Sequence, residues 1–156
     1  MRHPPGMDLQ AWQAREAIRE LVARYNIEGD AGHFDVQVDL FTEDGWIEIP
    51  GARRYQGRDR LRELFTGAVG SADPGAPPQR IAHHVSSLAI ELDPEDPGSA
   101  TGRCYYAVLT GTGLDHWGRY RDDYRFDDGR WRFASRRVSV DGRVPGGWAD
   151  RNLSEL

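Results

Sequence analysis

The sequence predicts an α+β domain, on three observations. Apolar residues recur at helical spacing only in the first half of the chain. The second half alternates apolar and polar residues in β-rich runs. Those runs are joined by short turns, the pattern of an antiparallel meander. At 156 residues, one domain is expected.

The first helix is expected over residues 8–29. Asp8 is placed to cap it, and Ile18, Leu21, Val22 and Tyr25 form its apolar stripe, extended by Leu9 and Trp12. Gly29 is placed to end it in a left-handed cap, with Asp30 next. A short helix is expected over Phe34 to Phe41, and Thr42-Glu43-Asp44-Gly45 reads as a turn. Trp46 to Ile49 reads as a strand that stops at Pro50-Gly51. A third helix, Arg58 to Ala68, carries Leu61, Leu64 and Phe65 on one face, and Gly70 to Gln79 reads as a loop.

Four strands follow. They are expected over Arg80 to Leu92, Thr101 to Thr112, His116 to Phe126 and Arg130 to Val140. The last two form a hairpin around Asp127-Asp128-Gly129. The organisation expected is an N-terminal tail over 1–7, one domain over 8–141 and a C-terminal tail over 142–156.

Composition narrows the function classes. The 20 basic residues face 25 acidic ones, the net charge is −5, and the arginines are scattered among acids, so nucleic-acid binding is not expected. Every basic residue is arginine, so no lysine Schiff base is available. No run reaches the ~18 apolar residues of a membrane span. The opening MRHPPGMD lacks an apolar signal core, so a cytoplasmic location is the expectation. The single cysteine, Cys104, reads as a small apolar filler on a strand rather than a nucleophile. There is no Gly-x-Ser-x-Gly elbow, and no HxxxH, HExxH or CxxC spacing. Neither a metal nor a cofactor is expected.

The hairpin points to a site. Tyr120, Asp122, Tyr124 and Phe126 share one face, whereas Arg119, Arg121, Asp123 and Arg125 share the other. Asp122 is thus a charge on an aromatic face, which is costly unless the charge is paired or used. With Phe126 opposite Trp131, Ser135 falls opposite Asp122 and Arg137 opposite Tyr120. A bulge near the turn would bring Arg136 inward in place of Arg137. Asp122 therefore has two readings, an acid/base in a pocket or half of a structural ion pair. His83 and His84 are neighbours on one strand and face opposite ways; the small residues at Val85, Ser87 and Ala89 favour His83 as the pocket residue. His33 and His116 fall at turns or strand ends and are expected to be exposed. Asp30 either caps the second helix or joins the site.

The ordered motifs carry a resemblance. They are Tyr25-x4-Asp30, Leu40-Phe41-Thr42-Glu43-Asp44-Gly45, Tyr55-x-Gly57, Arg80-Ile-Ala-His83, Gly118-x-Tyr120-x-Asp122-x-Tyr124 and Asp128-Gly129-x-Trp131-x-Phe133. Over residues 10–141 the chain resembles the SnoaL-like branch of the nuclear transport factor two-like superfamily. The resemblance implies a strongly curved antiparallel sheet wrapped into a cone, with N-terminal helices closing a central cavity. Relatives include polyketide cyclases, scytalone dehydratase and hexachlorocyclohexane dehydrochlorinase, which work by cofactor-free proton abstraction, elimination or ring closure. Others are largely structural subunits of ring-hydroxylating dioxygenases.

By position, the resemblance makes Asp30 and His83 a dyad, with His83 the base, and makes Asp122 the acid/base of the cyclase mode. It implies a basic residue on the last strand at Arg136, one position from the Arg137 given by alternation. Ser87 stands where relatives often carry Asn, and Tyr25 where the dehydrochlorinase carries lysine, so dehalogenation is not expected. Tyr25, Trp46, Tyr120, Arg136 and Arg137 are the candidate substrate-binding residues. The function expected is that of a dehydratase, isomerase or cyclase acting on a small apolar cyclic or polyketide-like molecule, with a non-catalytic binding or assembly domain as the alternative. A homodimer or homotrimer is expected, packed through Leu88, Ile90 and Leu109 on the outer sheet face.

Overall fold

A computed structural model describes residues 8–49, 51, 54–70 and 81–152. The order of elements is α1 (Leu9–Asp30), α2 (Phe34–Asp39), β1 (Phe41–Glu48), β2 (Arg54–Gln56), α3 (Arg58–Gly70), β3 (Ala82–Leu92), β4 (Ser99–Thr110), β5 (Gly113–Asp127), β6 (Arg130–Arg143) and α4 (Trp148–Asn152). The strands form one six-stranded sheet in the order β2-β1-β6-β5-β4-β3. Among the described residues only the β1–β6 pair is parallel. This is the α+β architecture that the sequence predicts, with a curved sheet under N-terminal helices.

The Asp8 carboxylate accepts from the Gln10 N–H and caps α1. Ile18, Leu21 and Val22 bury the helix stripe against Phe41 and Ile47 of β1, Leu61 and Phe65 of α3, and Tyr124, Trp131 and Phe133 of the hairpin. Each such side chain contributes roughly 1.5–3 kcal/mol by leaving water. The Arg15 guanidinium donates to the Ile90 carbonyl and ties α1 to β3. No helix among the described residues is long and apolar enough to cross a membrane.

Two local expectations are corrected, and one element is added. α1 runs through Gly29 to Asp30, and the left-handed residue is Gly32, at φ 77°. Gly29 serves close packing instead: a Cβ there would lie 2.4 Å from Gln37 Nε2. Thr42 to Gly45 is not a turn but part of β1, where the register against β6 slips between Phe41 and Trp46. Residues 148–152 of the C-terminal tail form α4. The loop expected over Gly70 to Gln79 lies, apart from Gly70, outside the described residues.

Bulges decide which residues face the helices. On β3, Ser86 pairs with Tyr105 but Ala89 pairs with Arg103, so β3 holds one extra residue. Ser87 absorbs it at φ 56°. His83 and Val85 before the bulge, and Leu88 and Ile90 after it, therefore face the same way. Ile90 is buried in the core and Leu88 packs against it. Leu88 and Ile90 are thus core residues, not the outer-face contacts that strict alternation predicts. Leu109 is exposed, as expected.

Candidate active site

Asp30 is the last residue of α1, and His83 is near the start of β3. α1 lies across β3, so the helix end meets the strand beginning. The Asp30 carboxylate grips His83 at two points. Oδ2 accepts from the His83 backbone N–H at 2.8 Å, and Oδ1 lies 2.5 Å from Nδ1. A carboxylate can only accept, so Nδ1 carries the proton and Nε2 of the neutral ring carries a lone pair. The side chains are 30% and 21% exposed, open enough to reach solutes and covered enough to hold one geometry. Asp30 does not cap α2, whose first turn shows no side-chain cap from His33.

Deeper in the sheet lies a closed ion pair. Arg136 Nε and Nη2 donate to Asp122 Oδ1 and Oδ2, both at 2.8 Å, and both side chains are fully buried. The Tyr124 hydroxyl donates to Asp122 Oδ2 at 2.8 Å. The guanidinium sits 4.3 Å from the Tyr25 ring centre, 4.0 Å from Tyr120 and 4.5 Å from Phe133. Its Nη1 has no hydrogen-bond partner among the described residues. Burial opposes the charge on Arg136, but the Asp122 carboxylate outweighs it and holds the guanidinium protonated. Burial pushes the phenols of Tyr25, Tyr120 and Tyr124 above their ordinary value, so all three are neutral donors. Tyr25 lies close enough to both Asp122 and Asp30 for each carboxylate to raise its phenol further.

The choice between Arg136 and Arg137 is settled by a bulge. Asp123 pairs with Ser135 but Tyr124 pairs with Phe133, which leaves Ala134 extra on β6. Trp131 and Phe133 before it, and Arg136 after it, then share the inner face. Arg137 is a correction: it points outward, is exposed, and pairs with Asp123 at 3.2 Å. Trp46 is another, lying on the outer face between Arg54, at 3.8 Å, and Arg137, at 4.7 Å. Two outer grooves of about 390 Å³ each share Arg121 and Arg137 in their walls, on the far side of the sheet from His83.

Asp122 reaches the inner face as expected, but both its oxygens are engaged. It takes the ion-pair alternative and has no free oxygen to offer a substrate. Cys104 is buried, and burial pushes its thiol up to about 11, so it is an inert filler.

One pair escapes the sequence. His116 is buried, not exposed, and its Nδ1 lies 2.8 Å from Asp115 Oδ1. Neighbours on a regular strand face opposite ways. Here Val108 pairs with His116 and Leu109 with Leu114, which leaves Asp115 as a bulged residue. A bulge turns both side chains to one side, and no local residue pattern announces it.

The SnoaL-like domain family model matches residues 10–137. The chain belongs to this SnoaL-like family. It is similar to Rv3472, a protein of unknown function from Mycobacterium tuberculosis, at 31% identity over 85% of this chain and 75% of that one, with a TM-score of 0.72. An NTF2-like protein with a cystatin-like fold from Novosphingobium aromaticivorans is 25% identical over 96% and 98%, with a TM-score of 0.69. A candidate scytalone dehydratase from the same organism is 22% identical over 90% and 95%, with a TM-score of 0.72, a likeness of fold alone. No curated protein matches the chain. A SnoaL-like member thus carries a clamped His–Asp pair at one end of its inner sheet face.

Proposed function

We propose that this SnoaL-like protein is an acid–base enzyme of the dehydratase, isomerase or cyclase type, with His83 as general base. The observation that carries the reading is the two-point grip of Asp30 on His83. Gripping the backbone N–H as well as Nδ1 fixes both the ring's position and its tautomer, so Nε2 is the atom left to take a proton. The carboxylate also stabilises the imidazolium formed when it does. At the C-terminal end of α1, the helix dipole favours the same cation.

The proton would come from a carbon next to a carbonyl, and its bonding pair would move into an enolate. The neutral Tyr25 phenol, near enough to feel both Asp30 and Asp122, is the proposed donor to the enolate oxygen. Arg136 and Asp122 hold Tyr25 and Tyr120 in place and do not themselves exchange protons. The aromatic inner face suits a small apolar cyclic or polyketide-like substrate. A base so held is worth about 10²- to 10⁴-fold in rate.

The test uses 5-nitrobenzisoxazole, a small aromatic whose ring C–H is removed by a base as its N–O bond opens to a nitrile and a phenolate. We expect the wild-type protein to convert it at least about 100-fold faster than His83→Ala. Equal rates would overturn the reading. The alternative, a binding domain of the same fold, is favoured by how much of the inner face Arg136 and its three rings fill. Equal binding without turnover would support it.

A further inference from the structure

His83 does not stand alone on its face. His83 pairs with Val108 of β4, and Val108 pairs with His116 of β5, so the three residues form one row across the sheet. Directly paired residues point the same way, and Val108 is buried in a cluster with Cys104, Tyr106 and Tyr120 on the inner face. The two imidazoles thus flank Val108 on the concave face, their backbones about 10 Å apart at the usual strand spacing. His83 is near enough for its charge to oppose protonation of His116.

The two histidines are held alike. Each has Nδ1 on a carboxylate, His83 on Asp30 and His116 on Asp115, which directs each Nε2 away from its acid. The second holder is itself rigid. Asp115 Oδ2 accepts from the Trp148 N–H at 2.5 Å and Oδ1 from the Ala149 N–H at 3.0 Å, the first turn of α4. Trp148 stacks on the His116 ring at 6.0 Å and Tyr106 meets it edge-on at 5.9 Å. The buried Tyr106 hydroxyl has no partner among the described residues.

Capping α4 explains Asp115 but not His116. A helix cap needs only the carboxylate, and a buried imidazole is a costly way to fill space. With Nδ1–H donated to Asp115, neutral His116 presents an acceptor at Nε2. Burial holds His116 below its ordinary value, which keeps that acceptor available.

We propose that His116 is a substrate-binding residue that works opposite His83, its Nε2 accepting a hydrogen bond from a hydroxyl group of the molecule that His83 deprotonates. This rests on His83 being the base. It narrows the substrate to a small ring bearing a hydroxyl across from its acidic carbon. His83 Nε2 gains the carbon's proton, the C–H pair becomes the enolate, and the hydroxyl keeps its proton throughout. Asp115 is a positioning residue that fixes the His116 tautomer.

The probes are 4-hydroxyacetophenone and acetophenone, which share an acidic methyl and differ in one hydroxyl. Binding is read from the imidazole ¹⁵N resonances, and proton abstraction from methyl exchange in D₂O. One hydrogen bond predicts roughly 3- to 10-fold tighter binding of the hydroxylated probe to the wild-type protein. In His116→Asn, whose amide can still donate to Asp115, the preference should vanish while the protein stays folded, with a midpoint lowered by the lost ring packing on Trp148 and Tyr106. An unchanged preference in that variant overturns the proposal. Should the variant fail to fold, the wild-type resonances decide. His116 Nε2 must shift with 4-hydroxyacetophenone and not with acetophenone, and equal shifts overturn the proposal. Methyl exchange that survives His83→Ala, with the hydroxyl preference still lost in His116→Asn, would instead remove His83 as base and leave the hydroxyl subsite standing.

Discussion

Arg136 closes a two-bond fork on Asp122 with neither side chain exposed to solvent. The pair contributes little net stability beyond what apolar residues would, but breaking it strands a buried charge. Asp122→Ala should therefore destabilise the fold by about 3–5 kcal/mol. Denaturant unfolding measures it. A folded, wild-type-stable Asp122→Ala that has lost turnover would restore Asp122 as an acid/base. A paired Asp122→Leu and Arg136→Met replacement should recover most of the stability.

The dyad behaves differently because it is part-exposed. Asp30→Asn keeps the size of the side chain and can still accept one bond, but it no longer stabilises an imidazolium. Turnover of 5-nitrobenzisoxazole should fall to nearly the level of His83→Ala, with an unfolding midpoint close to wild type. Full activity in Asp30→Asn would show that the carboxylate only positions the strand.

α4 should detach in acid before the sheet unfolds. Burial lowers the His116 value below 6.5. For Asp115, burial acts upward, but the Ala149 and Trp148 N–H donors and His116 together hold it below 3.8. Both folded values are depressed, so their stabilisation is complete above the ordinary values and is lost as pH falls through the folded ones. The His116 part should fade below about pH 6.5 and the Asp115 part below about pH 3.8. Amide exchange at Ala149 follows both steps. Faster exchange on raising the pH, after correction for intrinsic rates, would contradict the sign.

Ser87 holds a left-handed backbone at φ 56°. Ser87→Gly should leave stability equal or slightly raised, whereas Ser87→Val should cost about 1–3 kcal/mol. Equal midpoints for the two variants would mean that the β3 bulge is not required.

Much of this arrangement is legible in the residues. The stripe of Ile18, Leu21 and Val22 fixes the buried face of α1, and Asp127-Asp128-Gly129 fixes the β5–β6 turn. Tyr120-x-Asp122-x-Tyr124 marks the inner face of β5, and the spacing from Tyr25 to Asp30 and on to His83 carries the family resemblance. What misled strict alternation was the same event twice. One extra residue, at Ser87 or Ala134, moves every side chain beyond it to the other face. That is why Ile90 is core and why Arg136 rather than Arg137 joins Asp122. His116 lies on the Tyr120 face by alternation; the bulge at Asp115 turns its aspartate to the same side.

The sequence alone determined α1 to α3 and the run β3 to β6 in their order, because hydrophobic period and turn chemistry are local properties; it missed β2 and α4, and it joined Asp30 to His83 only through the family resemblance. Only the tertiary structure decided the faces. A bulge is stabilised by the strand it pairs with and by what packs over it, and neither partner lies nearby in the chain. So Asp122 became half of a closed ion pair, and a second histidine held by its own aspartate came to lie across Val108 from the first.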